Sequence, residues 1–213
     1  MPRRLDVRLI VITDRALAAP RSVLPVVEAA LDAGAPVIQL RDKRATAGSL
    51  LQQAKALLPA VRAAGALLFI NDRLDVALAA GADGVHLGPD DIPVAAARRI
   101  APADFFVGYS TDDPEDARRA EAHGASYIGC GAVFGTTSKE EAAGEAIGPE
   151  RLDVVARAVS IPVVGIGGIN AGNIGEIHAT AAAGAAVIGA VMQAPDPGAA
   201  VANLLRRPGL SLS

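Results

Sequence analysis

The chain has 213 residues, is 51% hydrophobic and 20% charged, and carries a formal net charge of −3. That length suits one compact α/β domain; the near-neutral balance lacks the clustered basic face that a nucleic-acid backbone requires, and the apolar content excludes disorder. Aromatics make up only 3% and tryptophan is absent, so the core has to be packed from Ala, Val, Leu and Ile.

In chain order, short apolar runs alternate with helix-like stretches. The runs are Leu9–Thr13, Val37–Leu40, Leu67–Ile70, Gly84–Leu87, Phe105–Tyr109, Tyr127–Gly129, Val163–Ile166 and Ala186–Ala190. Each is too short for a helix and is β-branched or bounded by glycine. Between them lie stretches such as Ser49–Ala64 and Pro114–His123, with charges along one side. Strands apolar on both faces pair in parallel beneath covering helices. Three helices end on the same kind of phrase, Ala33-Gly34-Ala35, Ala80-Gly81-Ala82 and His123-Gly124-Ala125, where glycine takes the left-handed position after the last turn. Eight such units in about 210 residues predict a single-domain (β/α)8 TIM barrel over residues 1–213, with residues 208–213 fraying. An open doubly wound sheet is the alternative, but Thr13-Asp14-Arg15 stands where its glycine-rich turn belongs.

The N-terminal Arg3-Arg4 pair is not followed by a long apolar run, and the uncharged stretch 177–195 reads as a buried helix followed by a buried strand. The single cysteine, Cys130, has no internal disulfide partner, which suits a reducing compartment. The expectation is a soluble cytoplasmic protein without membrane or nucleic-acid partners.

A barrel of this kind carries its chemistry on the loops after the strands. After the second strand, Gln39, Arg41 and Lys43 recur with a period of two and so point one way. The third strand ends in Asn71-Asp72-Arg73, and the fourth runs through His86 to Asp90-Asp91. Singly, each acid could be a helix cap. Together, Asp72 and Asp91 leave neighbouring strands at one barrel end and suit Mg²⁺, which takes one or two carboxylates and completes its shell with phosphate oxygens and water. The fifth strand closes on Ser110-Thr111, and the longest loop, 132–147, carries Thr136-Thr137-Ser138-Lys139 and reads as a lid. Gly167-Gly168 and Ile188-Gly189 follow the seventh and eighth strands, where barrels often hold phosphate on backbone N–H groups. The mouth thus reads as two anion sites, one rich in cations and metal ligands, the other neutral and backbone-lined. His86 reads as structural, His123 and His178 as surface residues, and Cys130 as a packed one.

Gln39-Leu40-Arg41-Asp42-Lys43, Asn71-Asp72-Arg73, Gly84-Val85-His86-Leu87-Gly88 with Asp91, the Thr-Thr-Ser-Lys loop and Gly167-Gly168-Ile169-Asn170 resemble, in order from Leu9 to Met192, the thiamine phosphate synthase family. The resemblance implies a barrel that joins a hydroxymethylpyrimidine pyrophosphate to a thiazole phosphate by a dissociative route, releasing pyrophosphate. It implies Arg41, Lys43, Ser110 and Lys139 as catalytic residues, with Gln39, Leu40, Asp42 and Asn71 joining them on the pyrimidine pyrophosphate. Asp72 and Asp91 would hold Mg²⁺, and Thr136, Thr137, Ser138, Gly168, Ile188 and Gly189 the thiazole phosphate. Three positions depart from the family pattern: Gly189 where serine is common, Pro89 where glutamine is, and Asp112 where histidine is. A thiazole-isomerising branch of the family and a non-catalytic phosphate-binding barrel are the rival readings. The partners are small molecules, and self-association is left open.

Overall fold

A computed structural model describes residues 4–135 and 146–206. Strands β1 (Leu9–Ile12), β2 (Val37–Leu40), β3 (Leu67–Asn71), β4 (Gly84–Leu87), β5 (Phe106–Ser110), β6 (Tyr127–Gly131), β7 (Val163–Ile166) and β8 (Gly184–Val187) pair in parallel in sequence order. The sheet closes because β8 pairs with β1 as well as with β7. This is the expected eight-stranded barrel, and closure removes the open-sheet alternative.

The surrounding helices are α1 (Arg15–Ala18), α2 (Val23–Asp32), α3 (Ala47–Ala63), α4 (Leu74–Ala80), α5 (Val94–Ile100), α6 (Pro114–Ala122), α7 (Gly148–Ala158), α8 (Ile174–His178), α9 (Gly189–Met192) and α10 (Pro197–Leu205). Side chains of Asp14, Thr46, Asp113 and Asp196 accept backbone N–H groups at the starts of α1, α3, α6 and α10, satisfying donors that the first helical turn leaves open. Gly34, Gly81 and Gly124 take the left-handed conformation expected of them.

Strand limits agree with the sequence reading to within two residues except at the end of the chain. The last strand is Gly184–Val187, not Ala186–Ala190. Ile188 ends the extended run with φ −116° and ψ −81°, and Gly189 already opens α9. The apolar character runs on through Val191 and Met192, both buried, so hydrophobicity alone marks no boundary there. His178 is also corrected: it is half-buried at the end of α8, whereas His123 is exposed.

Alternation along the strands fills the barrel from inside. Ile10 and Ile12, Gln39 and Arg41, Asn71, His86, Tyr127 and Gly129, Val164 and Ile166, and Ala186 and Ile188 converge on one small inner cavity. Below it, Phe69 of β3 stacks on Tyr127 of β6, ring centroids 5.7 Å apart. Strands β4 and β5 lie between them, so the rings meet only because those strands surrender volume. A Cβ on Gly84 would come within 2.8 Å of the Phe69 ring, and one on Gly108 would overlap the Tyr127 ring and lie 2.6 Å from His86 Nδ1. The two large rings are thus accommodated by glycines at 84 and 108 on the strands between, as close packing demands.

Candidate active site

At the carboxyl end of the barrel the interior divides. Strands β7, β8 and β1 contribute Val164, Ile166, Ala186, Ile188, Ile10 and Ile12, whereas β2 to β6 contribute Gln39, Arg41, Asn71, His86 and Tyr127. The buried polar groups on that second side are tied together. His86 Nδ1 lies 2.8 Å from the Tyr127 hydroxyl and Nε2 lies 2.7 Å from Ser110 Oγ, while Gln39 stands near enough to the same Tyr127 hydroxyl to act on it.

Arg41 leaves the end of β2 with its backbone N–H donating to Thr13 Oγ1 at 3.0 Å. Its guanidinium lies 3.6 Å from Asp14, and the side chain is only 10% exposed. Arg41 Nε is enclosed and has no hydrogen-bond partner among the described residues. A buried charged donor left open costs free energy unless an acceptor arrives. An anion at the barrel mouth would supply one.

Asp72 sits just past β3 at φ 64°, the left-handed region, which is unusual for a residue with a Cβ. Its N–H donates to His86 O at 2.8 Å. It does not cap α4, whose preceding residue is Arg73. Asp91 does not cap α5 either; its carboxylate accepts the Gly88 N–H at 2.7 Å. Freed from capping, the two carboxyl groups come within hydrogen-bonding reach of each other, with Lys43 and Arg41 close enough to act on Asp72. Burial first, then the neighbouring Asp91, push the Asp72 carboxyl up to about 6. Two carboxyl groups so close need either a shared proton or a cation between them. Among the described residues no cluster of three or more His, Cys, Asp or Glu could hold a metal. The donor set is therefore a carboxylate pair of the kind Mg²⁺ accepts when phosphate oxygens and water complete its shell.

Outside the inner cavity opens a second one of about 800 Å³, reached past Ser110, Gly131, Gly167, Gly168, Ile188 and Gly189. Gly167 and Gly168 turn through φ 101° and 65°. A Cβ on Gly168 would stand 2.8 Å from Phe134 O, so backbone is packed against backbone where β7 meets the β6 loop.

The sequence profile of the thiamine monophosphate synthase family matches residues 9–191, nearly the whole barrel. The chain belongs to that family. Thiamine-phosphate synthase of Roseiflexus sp. (strain RS-1) is 50% identical over 91% of this chain and 82% of its own length. The enzyme of the same name from Methanospirillum hungatei is 44% identical over 92% and 95%. Thiamine phosphate pyrophosphorylase from Pyrococcus furiosus superposes with a TM-score of 0.85 at 44% identity, covering 93% of this chain and 94% of that one. A 3-hexulose-6-phosphate synthase shares the fold at 19% identity and a TM-score of 0.69, and that likeness extends no further than the fold. This chain is accordingly a transferase of the thiamine phosphate synthase kind, acting on small molecules. Among the described residues no helix is long and apolar enough to cross a membrane.

Gln39, Arg41 and Asn71 line the inner cavity, and Ser110, Gly168 and Gly189 the outer one, with Ile188 bordering both. Leu40 is buried in β2 and lines neither; alternation turns it toward the helices. Asp42 is engaged by Gln53 Nε2 at 3.1 Å and by the Arg44 N–H at 3.2 Å, so it shapes the turn into α3. Thr136, Thr137, Ser138 and Lys139, most of the supposed lid, and the tail from 208 to 213 lie outside the described residues. Pro89 and Asp112, two of the family departures, both border the outer cavity. Cys130 is fully buried, and burial pushes its thiol up to about 12, leaving it an inert packing residue. Three participants escaped the sequence reading: Thr13 and Asp14, which brace Arg41, and Tyr127. Thr13 and Asp14 were visible as polar residues ending β1, and Tyr127 as one of only two tyrosines in the chain.

Proposed function

We propose that the barrel condenses an aminopyrimidine-methyl pyrophosphate with a thiazole monophosphate to give thiamine phosphate and pyrophosphate, with Mg²⁺ held by Asp72 and Asp91. The observation that carries this reading is the neighbouring pair of Asp72 and Asp91 carboxyl groups, with Arg41 and Lys43 close enough to act on Asp72. A barrel that only bound or isomerised a thiazole phosphate would have no use for it.

The chain's own residues divide the work. Gln39, which lines the inner cavity, would hydrogen-bond the pyrimidine. Arg41, Lys43, Asn71 and Ser110 receive the pyrophosphate, joined by Lys139 from the long loop. When bound, the metal would add positive charge where the leaving oxygens gather negative charge. The methylene C–O bond breaks first, its electron pair departing with the pyrophosphate, and the electron-rich aminopyrimidine spreads the cation left behind. The lone pair of the thiazole nitrogen then closes the new C–N bond. That nitrogen carries no proton, so no general base is required, and the site holds cationic and neutral donors in keeping with that. Electrostatic stabilisation of the departing anion and the holding of two reactants together supply the rate.

The glycine backbone at 167–168 and 188–189, with Thr136, Thr137 and Ser138, would hold the thiazole phosphate. Gly189 offers only its N–H where the family commonly has a serine hydroxyl as well. The same reading treats residues 1–213 as one domain working in the cytoplasm.

Purified protein mixed with both substrates and Mg²⁺ should form thiamine phosphate, followed as its fluorescent oxidation product. Binding of the thiazole phosphate with no product under those conditions overturns the synthase reading.

A further inference from the structure

Tyr127 takes no part in the chemistry above, yet it is the largest fully buried side chain among the described residues and begins a hydrogen-bonded line. Its hydroxyl meets His86 Nδ1, and His86 Nε2 meets Ser110 Oγ at the wall of the outer cavity, with Gln39 standing near the hydroxyl on its other side. Space has been cleared for this line. Gly108 leaves room for the Tyr127 ring and His86 Nδ1, and a Cβ on Gly129 would stand 3.0 Å from His86 Cε1. A serine or threonine hydroxyl turns freely unless its acceptor side is occupied.

We infer that Tyr127 is a positioning residue, fixing the tautomer of His86 so that the Ser110 hydroxyl hydrogen points at the leaving pyrophosphate. This rests on the reading of Ser110 as a pyrophosphate contact. The polarity follows from the anionic end. Ser110 must donate to the anion, so its oxygen accepts from His86 Nε2–H. A neutral imidazole has one N–H, so Nδ1 is the acceptor and takes the Tyr127 O–H. The Gln39 amide stands on the acceptor side of the phenolic oxygen. Each group uses its single hydrogen in one direction, and a hydroxyl aimed in advance need not reorient as charge develops.

The first test needs no variant. In the wild-type protein, ¹⁵N spectra of the His86 ring should show the proton on Nε2 and a bare Nδ1; the opposite tautomer overturns the inference. The second is a double-mutant cycle on kcat. Tyr127→Phe keeps the stacked ring and removes only the hydroxyl. It should lower kcat about tenfold, leave KM for the thiazole phosphate unchanged, and have no further effect in a Ser110→Ala background. Full additivity of the two losses overturns the role of Tyr127 while leaving that of Ser110 intact. An inert Ser110→Ala overturns both. His86→Gln, whose amide can still donate to Ser110, should retain several times the kcat of His86→Leu; equal losses with both proteins folded also overturn it.

Discussion

On the β2–β4 side of the barrel mouth, charge is carried by side chains: Arg41 and Lys43 face the Asp72–Asp91 pair. On the β7–β8 side, Gly167, Gly168, Ile188 and Gly189 border the outer cavity and present mainly backbone. The first arrangement suits a ligand whose charge changes during the reaction, because fixed cations and a metal stabilise a growing anion more than a constant one. The second suits a phosphate that is only held. One fold thus provides an electrostatic rim and a steric rim, and substitutions should separate them.

The largest effect is expected where the electrostatic rim loses a proposed metal ligand. Asp91→Asn should lower kcat/KM at fixed Mg²⁺ by about 10³-fold, roughly 4 kcal/mol of transition-state stabilisation, with partial recovery at excess metal; near-normal turnover removes Asp91 from the site. Lys43→Gln should weaken the pyrophosphate substrate by about tenfold, roughly 1.4 kcal/mol, with thiazole phosphate affinity left intact in calorimetric titrations. Equal losses for both ligands would merge the two rims into one.

The steric rim should answer differently. Gly168→Ala places a Cβ at φ 65° and against Phe134 O, so KM for the thiazole phosphate should rise while pyrophosphate-substrate binding is spared. The same change should cost about 1–2 kcal/mol of stability in denaturant unfolding. An unchanged KM with unchanged stability would show that this turn tolerates a side chain.

The smallest effect separates the rims by pH. Asp72 keeps its proton up to about 6, against 3.8 for an unperturbed aspartate. Without metal, its contribution favours the folded state fully below pH 3.8 and is lost as pH rises through about 6. Mg²⁺ competes with that proton, so the rise in Tm produced by added Mg²⁺, and abolished by a chelator, should be larger at pH 7.5 than at pH 5. Equal shifts at both pH values would detach the metal from Asp72.

Much of this was legible in one dimension. Period-two spacing put Gln39 and Arg41 on the inner face of β2, and the acids ending β3 and β4 were read as a pair before any geometry. Two properties were not legible. Whether Asp72 capped a helix depended on its backbone angle, which no neighbour in sequence dictates. The contact of Tyr127 depends on a histidine 41 residues away, brought to it across β5 by the curl of the sheet. The end of β8 was misplaced for a simpler reason: Ile188, Val191 and Met192 stay buried after the strand stops, and burial has no direction.

The nesting of Tyr127 against Gly108 has a consequence for how such sequences diverge. Any side chain at 108 evicts the ring, and loss of the ring leaves a void that only a bulkier residue nearby can refill. Neither site can drift alone. Across descendants of this chain the two should change together, with position 86 following, so covariation among these three is a record of the barrel's interior that a mutational lineage would preserve.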